Sequence, residues 1–182
     1  MEQNQAAFVP PHNIEAERSV LGSMFLDPRA VFIALEHLTP QDFYSRRNQL
    51  IFETMAELSE AGMPIDIVTV VDRLERRGLL TDPDDTLYIA DLAGSVPSAA
   101  SVQYYVDIVQ QKSVLRSLIE AGNQIIREAS TSEEDAALVV NRAGDLIYKI
   151  AVKQRRDSLE HIKKALLEGY QAEEDALKAA QV

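Results

Sequence analysis

Apolar residues recur at three- and four-residue intervals along most of the chain and no clean period-two stretch survives, so the pattern predicts helix nearly throughout. Pro10-Pro11 blocks helix and predicts an extended arm over residues 1–13, with Asn13 as the first N-cap. From Ile14 to Leu26 the stripe Ile14, Val20, Leu21, Met24 and Phe25 gives one apolar face, and Glu15 and Glu17 sit in the first turn, favourably placed against the helix dipole. Asp27-Pro28 then starts a second helix on Val31, Phe32, Leu35 and Leu38. A third is expected from about Tyr44 to Ala61 on Leu50, Ile51, Met55 and Leu58, closed by Gly62. A fourth, Ile67 to Arg77, carries Ile67, Val70, Val71 and Leu74 and is closed by Gly78. Its β-branched run from Ile65 to Val71 would suit a strand, but no partner strand is visible. Thr81 to Asp85 reads as a polar turn, followed by a short helix from Leu87 to Ala93.

From Ser98 the pattern lengthens. Ile108, Leu115, Leu118, Gly122, Ile125 and Ala129 follow heptad spacing and predict one helix over about Ala99 to Ala129. Thr131 with Glu134, and Ser132 with Asp135, form two overlapping capping boxes. A second heptad set follows at once on Ala136, Val139, Ala143, Leu146 and Ile150. Helices joined by so short a turn are antiparallel neighbours, a helical hairpin. Tyr105, Ile119 and Ile126 make a second stripe that a two-helix hairpin cannot cover, and such a surface marks an interface. Asp157 with Glu160 opens a last, polar helix to about Ala180, with only Leu159, Ile162, Leu166, Tyr170 and Leu177 as its apolar set. The expected fold is therefore all-α: an arm (1–13), a globular helical head (14–97), a long antiparallel hairpin (98–152), and a linker with a C-terminal linker helix (153–182).

Composition changes this picture mainly by exclusion. The 182 residues hold 29 Asp and Glu against 18 Lys and Arg, a formal charge of −11, which disfavours a binder driven by phosphate neutralisation. The acidity concentrates in residues 1–100, with 16 acidic and 7 basic side chains, against 13 and 11 in the remainder. There is no cysteine, so disulfides, thiolate metal sites and a cysteine nucleophile are out. The first residues lack a basic and apolar leader, and no apolar run approaches the roughly 18 residues of a membrane span, so a soluble cytoplasmic chain is expected.

The chemistry of catalysis is missing too. No glycine is followed by lysine, which excludes a phosphate-binding Walker loop, and neither G-x-G-x-x-G nor G-x-S-x-G occurs. His12, His37 and His161 are isolated, and His12 and His161 read as surface or capping residues. Asp82, Asp84 and Asp85 offer a third-ranked alternative, a metal-dependent hydrolase, but the run lacks the glycine and distal glutamate of a calcium loop. Arg46-Arg47, Arg76-Arg77, Arg155-Arg156 and Lys163-Lys164 tempt one toward the runner-up reading, an independent helical DNA-binding domain. Each pair is diluted by neighbouring acids; the densest group is Lys149, Lys153, Arg155 and Arg156, four positives within eight residues. The expectation is no catalysis, no cofactor and no metal.

Seven segments in register resemble the N-terminal domain of DnaB-type replicative DNA helicases. They are Pro10-Pro11-His12-Asn13-Ile14-Glu15-Ala16-Glu17 with Ser19-Val20-Leu21-Gly22, then Asp42-Phe43-Tyr44, Ile51-Phe52, Pro64-Ile65-Asp66, Leu74-Glu75-Arg76 and Pro97-Ser98-Ala99-Ala100. The resemblance is nearly gapless from about 10 to 152, and the capped segment after Asp157 stands where the family has its linker helix. One departure is Asp84-Asp85-Thr86-Leu87, where the family often has a Gly-Gly turn before Tyr88. The family's ATP-dependent 5′–3′ motor domain has no counterpart in this sequence, so the resemblance implies a fragment of a longer chain and carries over no active-site residue. It implies a collar that pairs through its hairpins into a dimer, trimer of dimers or hexamer, with the linker helix docking on a neighbouring motor. It also implies docking of primase's C-terminal domain, engagement of a helicase loader or initiator, contact with DNA only through the full ring, and none with membrane. On that resemblance the pairing residues are Tyr105, Leu115, Ile119, Ile126, Leu138 and Leu146, and the primase-docking residues Glu15, Tyr88, Ile119 and Ile125.

Overall fold

The computed structural model describes residues 8–154; the expected linker helix after Asp157, with His161 and the pairs Arg155-Arg156 and Lys163-Lys164, lies outside them. The described residues are helical and loop, without strand: α1 (Ile14–Leu26), α2 (Pro28–His37), α3 (Arg46–Glu60), α4 (Ile67–Arg76), α5 (Pro83–Ala93), α6 (Val102–Thr131), and α7 over residues 136–154. They fall into two compact units, Met1–Arg116 and Ser117–Val182, with the division inside α6.

The first unit is a head built around one apolar core. Val20, Leu21 and Met24 of α1, Ile51, Phe52, Met55 and Leu58 of α3, and Ile89 and Leu92 of α5 are all at most 2% exposed, with Phe43 packed at 4.8 Å on the Phe52 ring. Gly22 permits the close packing of α1 on α5, since a Cβ there would stand 2.6 Å from the Leu92 carbonyl oxygen. The expected stripe of α2 needs correction: Ala30, Val31, Ala34 and Leu38 are buried, while Phe32 is 70% exposed. The small alanines let α2 lie close, and Phe32 falls on the outer side.

Helix starts obey capping chemistry more than apolar pattern. α3 begins at Arg46 and not Tyr44, because the Ser45 hydroxyl accepts the Asn48 N–H. The expected polar turn at 81–85 is instead the start of α5. Asp82 caps it, Pro83 takes the first helical position, and Asp85 reaches back to the Asp82 N–H, a full capping box. Residues Ala99–Ser101 form a 3₁₀ turn before α6. From Ile67 on, the β-branched run does settle as helix, its start fixed by the Asp66 and Thr69 box.

In the second unit α6 runs on to Thr131 and α7 starts at residue 136. The two capping boxes expected there do not form. Thr131 is still helical and its hydroxyl donates to the Arg127 carbonyl, while Asp135 accepts the Ala137 N–H and is the cap. Arg142 of α7 bonds Glu128 of α6 at 3.2 Å and Glu134 of the turn at 2.6 Å, so the chain folds back as an antiparallel hairpin. Val139, Ala143, Leu146 and Ile150 are half-buried along its seam. No helix among the described residues is long and apolar enough to cross a membrane.

Candidate functional site

Two polar arrangements and one apolar one shape the surfaces this molecule can offer. The first ties α1, α3 and α5 together. Glu17, only 2% exposed, accepts the N–H groups of Tyr44 (2.6 Å) and Ser45 (3.3 Å) and the amide of Asn48 (2.8 Å), just where α3 begins. Asn48, fully buried, accepts the Tyr88 hydroxyl at 2.7 Å. Arg18 and Arg47 lie 5.1 and 4.8 Å from the Tyr88 ring centroid, and are themselves held by Asp91 (2.6 Å) and Asp85 (2.9 Å). Burial pushes the Tyr88 phenol up from its ordinary value, and the bond to Asp91 raises the Arg18 guanidinium. Glu15 is exposed one helical turn before Arg18.

The second straps the arm down. The His12 ring stacks on Tyr44 at 4.2 Å and its Nδ1 bonds the Pro10 carbonyl at 2.8 Å, so His12 is an anchoring ring and no mere surface group. Arg116 donates to the carbonyls of Pro11 (2.7 Å) and Asp42 (2.5 Å). Ser113 donates to the buried Asp42 carboxylate at 2.6 Å, which also accepts the Thr39 N–H and hydroxyl.

Sequence reasoning missed Glu17, Asn48, Ser113 and Arg116, although a signal exists for each. Glu17 shares a helix face with Val20, Leu21 and Met24; Asn48 with Ile51, Phe52 and Met55; Ser113 and Arg116 continue the series Val102, Val106, Val109. A polar residue on a buried stripe must find partners there, and each does. That series also corrects the phase of α6: the head buries Val102, Val106 and Val109, with Tyr105 and Ile108 only flanking its core.

The third arrangement is the hairpin beyond Arg116. Ala121 is the single buried apolar side chain among its described residues, at 6%. Ile126 (63%), Leu138 (53%), Val140 (68%) and Tyr148 (69%) are mostly exposed. Of the residues expected at pairing, Tyr105 and the 44%-exposed Leu115 belong to the head; Ile126 and Leu138 lie open on the hairpin, with Ile119 and Leu146 half-buried. Of the docking set, Glu15 and Tyr88 share the head, while Ile119 and Ile125 lie in the second unit.

The alternatives lose ground on the same geometry. Arg47 is engaged by Asp85, Arg76 by Asp72, and Arg77 by Glu53 and Glu57, while Arg46 bonds Gln49, so both described arginine pairs serve the head. Asp82 and Asp85 cap α5, and among the described residues no group of three His, Asp or Glu could hold a metal.

Comparison with known proteins gives a concordant result. The model of the DnaB-like helicase N terminal domain matches residues 9–111. The replicative DNA helicase DnaC of Bacillus subtilis (strain 168) is 38% identical over 162 residues, which is 89% of this chain and 36% of that protein. The chain thus spans little more than a third of that relative's length. Among solved structures, the N-terminal domain of DnaB helicase from Mycobacterium tuberculosis is 40% identical with a TM-score of 0.73, covering 78% of this chain and 99% of that one. The N-terminal domain of DnaB helicase from Helicobacter pylori, described together with its interactions with primase, is 26% identical with a TM-score of 0.57, covering 64% of this chain and 90% of that one.

Proposed function

The chain belongs to the DnaB-like helicase N-terminal domain family, and from that membership we propose that it is a non-catalytic collar of a bacterial hexameric replicative DNA helicase, acting in the cytoplasm. In a protein of the relatives' full length, ATP-driven unwinding falls to the motor portion, and this domain assembles the ring and docks primase. The observation that carries the reading is the hairpin's open apolar surface, Ile126, Leu138, Val140 and Tyr148, on a pair of helices whose described residues bury one apolar side chain, Ala121. Burying such side chains against a sister copy gains about 1.5–3 kcal/mol each for full burial, before the costs of association. Pairing runs through Tyr105, Leu115, Ile119, Ile126, Leu138 and Leu146, and pairs assemble into the collar. Glu15, Tyr88, Ile119 and Ile125 receive primase; the Helicobacter pylori relative's described interactions with primase support docking by a domain of this kind. A loader or initiator engages the assembled ring.

Light scattering over a concentration series tests this. The wild-type chain is expected to rise in mass toward a dimer or higher multiple. Ile126→Asp should weaken that association by at least about a hundredfold, because a charge in an apolar contact costs several kcal/mol. A chain that stays monomeric at the highest concentration would refute pairing. Calorimetry with primase's C-terminal domain then separates the two roles: Glu15→Lys should lose primase binding and keep the mass.

A further inference from the structure

Between α3, α4 and α5 the head holds a cavity of about 260 Å³ that the collar reading does not use. Its walls are Leu50, Ile51, Leu74, Leu79, Leu80 and Ile89. Ile51, Leu74 and Ile89 are core residues at most 2% exposed, and the other three are half-buried. The cavity follows from how α4 ends. Gly78, at φ 66, turns the chain back with the Leu79 N–H on the Leu74 carbonyl, and the polar capping box of α5 follows after Leu80. Two leucines therefore line a space that no side chain of this loop fills.

The mouth is polar and internally hydrogen-bonded. Asp85 accepts the N–H groups of Thr81 and Asp82 at 3.2 and 3.1 Å, and holds Arg47 at 2.9 Å. Arg47 also lies over the Tyr88 ring, so the lone cation at the mouth is already neutralised and fixed. Asp82, the exposed cap residue of α5, lines the mouth as well and adds a further negative charge, and Asp84 is exposed two residues further along the chain. Pockets for drug-sized ligands run to about 300–1,000 Å³, so this smaller space has room for an aliphatic side chain and is short of room for a whole nucleotide or cofactor. The surplus of carboxylates selects against an anionic visitor, and the 16 acidic against 7 basic residues of the first 100 extend that bias over the head.

We propose that this cavity is a docking socket for a basic protein segment, which inserts one aliphatic side chain of leucine size and sets a lysine or arginine against Asp82 and Asp84. None of its wall residues is among those assigned to pairing or to primase docking, so the socket and the collar stand or fall separately.

The test is an amide-detected NMR titration of the ¹⁵N-labelled 182-residue chain with three capped tripeptides: Lys-Leu-Lys, Lys-Ala-Lys and Glu-Leu-Glu. Saturable shifts at Arg47, Leu79, Leu80 and Thr81 are expected with Lys-Leu-Lys. Binding should be roughly tenfold weaker with the alanine peptide, which loses most of the buried aliphatic surface, and weaker again with the glutamate peptide. Asp84→Lys, a change outside the capping bonds, should weaken Lys-Leu-Lys binding at least about threefold, with only a small fall in unfolding temperature from the lost first-turn charge of α5. Three outcomes overturn the proposal: no shifts at these residues, equal affinity for leucine and alanine peptides, or tighter binding of Glu-Leu-Glu.

Discussion

The two ends of α6 meet opposite fates although both carry apolar residues on heptad spacing. Near its start Val102, Val106 and Val109 are at most 3% exposed, inserted into a core already shared by α1 to α5. Past Arg116 the described helix buries only Ala121, and Leu118 and Ile126 are 40% and 63% exposed. Of the 22 buried apolar side chains among the described residues, 21 lie at or before Val109. Helical periodicity states that a face wants cover; the number of elements packed around it decides whether cover is found within the same chain. The head supplies that cover itself. The hairpin has two helices and leaves its flanks open.

The sharpest way to break this contrast is to truncate one side chain on each side. Phe52→Ala in the head core should lower the unfolding free energy by about 3–5 kcal/mol, since a ring packed on Phe43 leaves a cavity that neighbours fill only partly. Leu138→Ala on the hairpin, half-exposed already, should change monomer stability by under about 0.5 kcal/mol. It should instead move the midpoint of self-association. Urea denaturation followed by circular dichroism, at two protein concentrations, reads both effects. If Leu138→Ala costs as much as Phe52→Ala in dilute protein, the hairpin has a core of its own and the contrast fails.

A second, smaller effect concerns how the head is fastened, and it shows what the sequence made legible. Helix type, the non-helical stretch around Pro10-Pro11, the cap at Asn13 and the hairpin were readable because proline, capping side chains and a 3.6-residue period act locally. The role of Glu17 was not. From local chemistry it reads as a first-turn acid facing the dipole, yet its carboxylate serves Tyr44, Ser45 and Asn48, 27 to 31 residues away. Such partners are set by tertiary packing, which a local rule does not see. The same blindness hid Arg116, whose partners Pro11 and Asp42 are more than 70 residues distant, and misplaced the buried phase of α6. Of the surplus stripe Tyr105, Ile119 and Ile126, only Ile126 stands mostly exposed; the cavity beside α5 was not foreseeable, because the start of that helix reads from local sequence as a polar turn. Glu17→Gln tests the fastening. It sets an NH₂ group against N–H donors, so it should cost about 1.5–3 kcal/mol in the same denaturation assay, the range for hydrogen bonds to a charged group. An unchanged midpoint would mean that packing alone joins α1 to α3.

The smallest effect bears on the hairpin, where surface pairs replace a core. The Gln124 amide first and Arg142 second hold the Glu128 carboxyl below its ordinary value. A depressed folded value means that the unfolded chain takes up the proton first. The stabilisation is therefore present above the ordinary carboxylate range and lost as pH falls through the depressed value. Exposed pairs of this kind contribute little and are screened by salt. The expected signature is accordingly local. Carbon-detected NMR should show Glu128 titrating below a free glutamate in the native chain, and moving part of the way back in Arg142→Ala while Gln124 keeps the remainder. The return should shrink at high salt. No response to Arg142→Ala would mean that α7 is not held against Glu128, and that the hairpin closes through its seam residues alone.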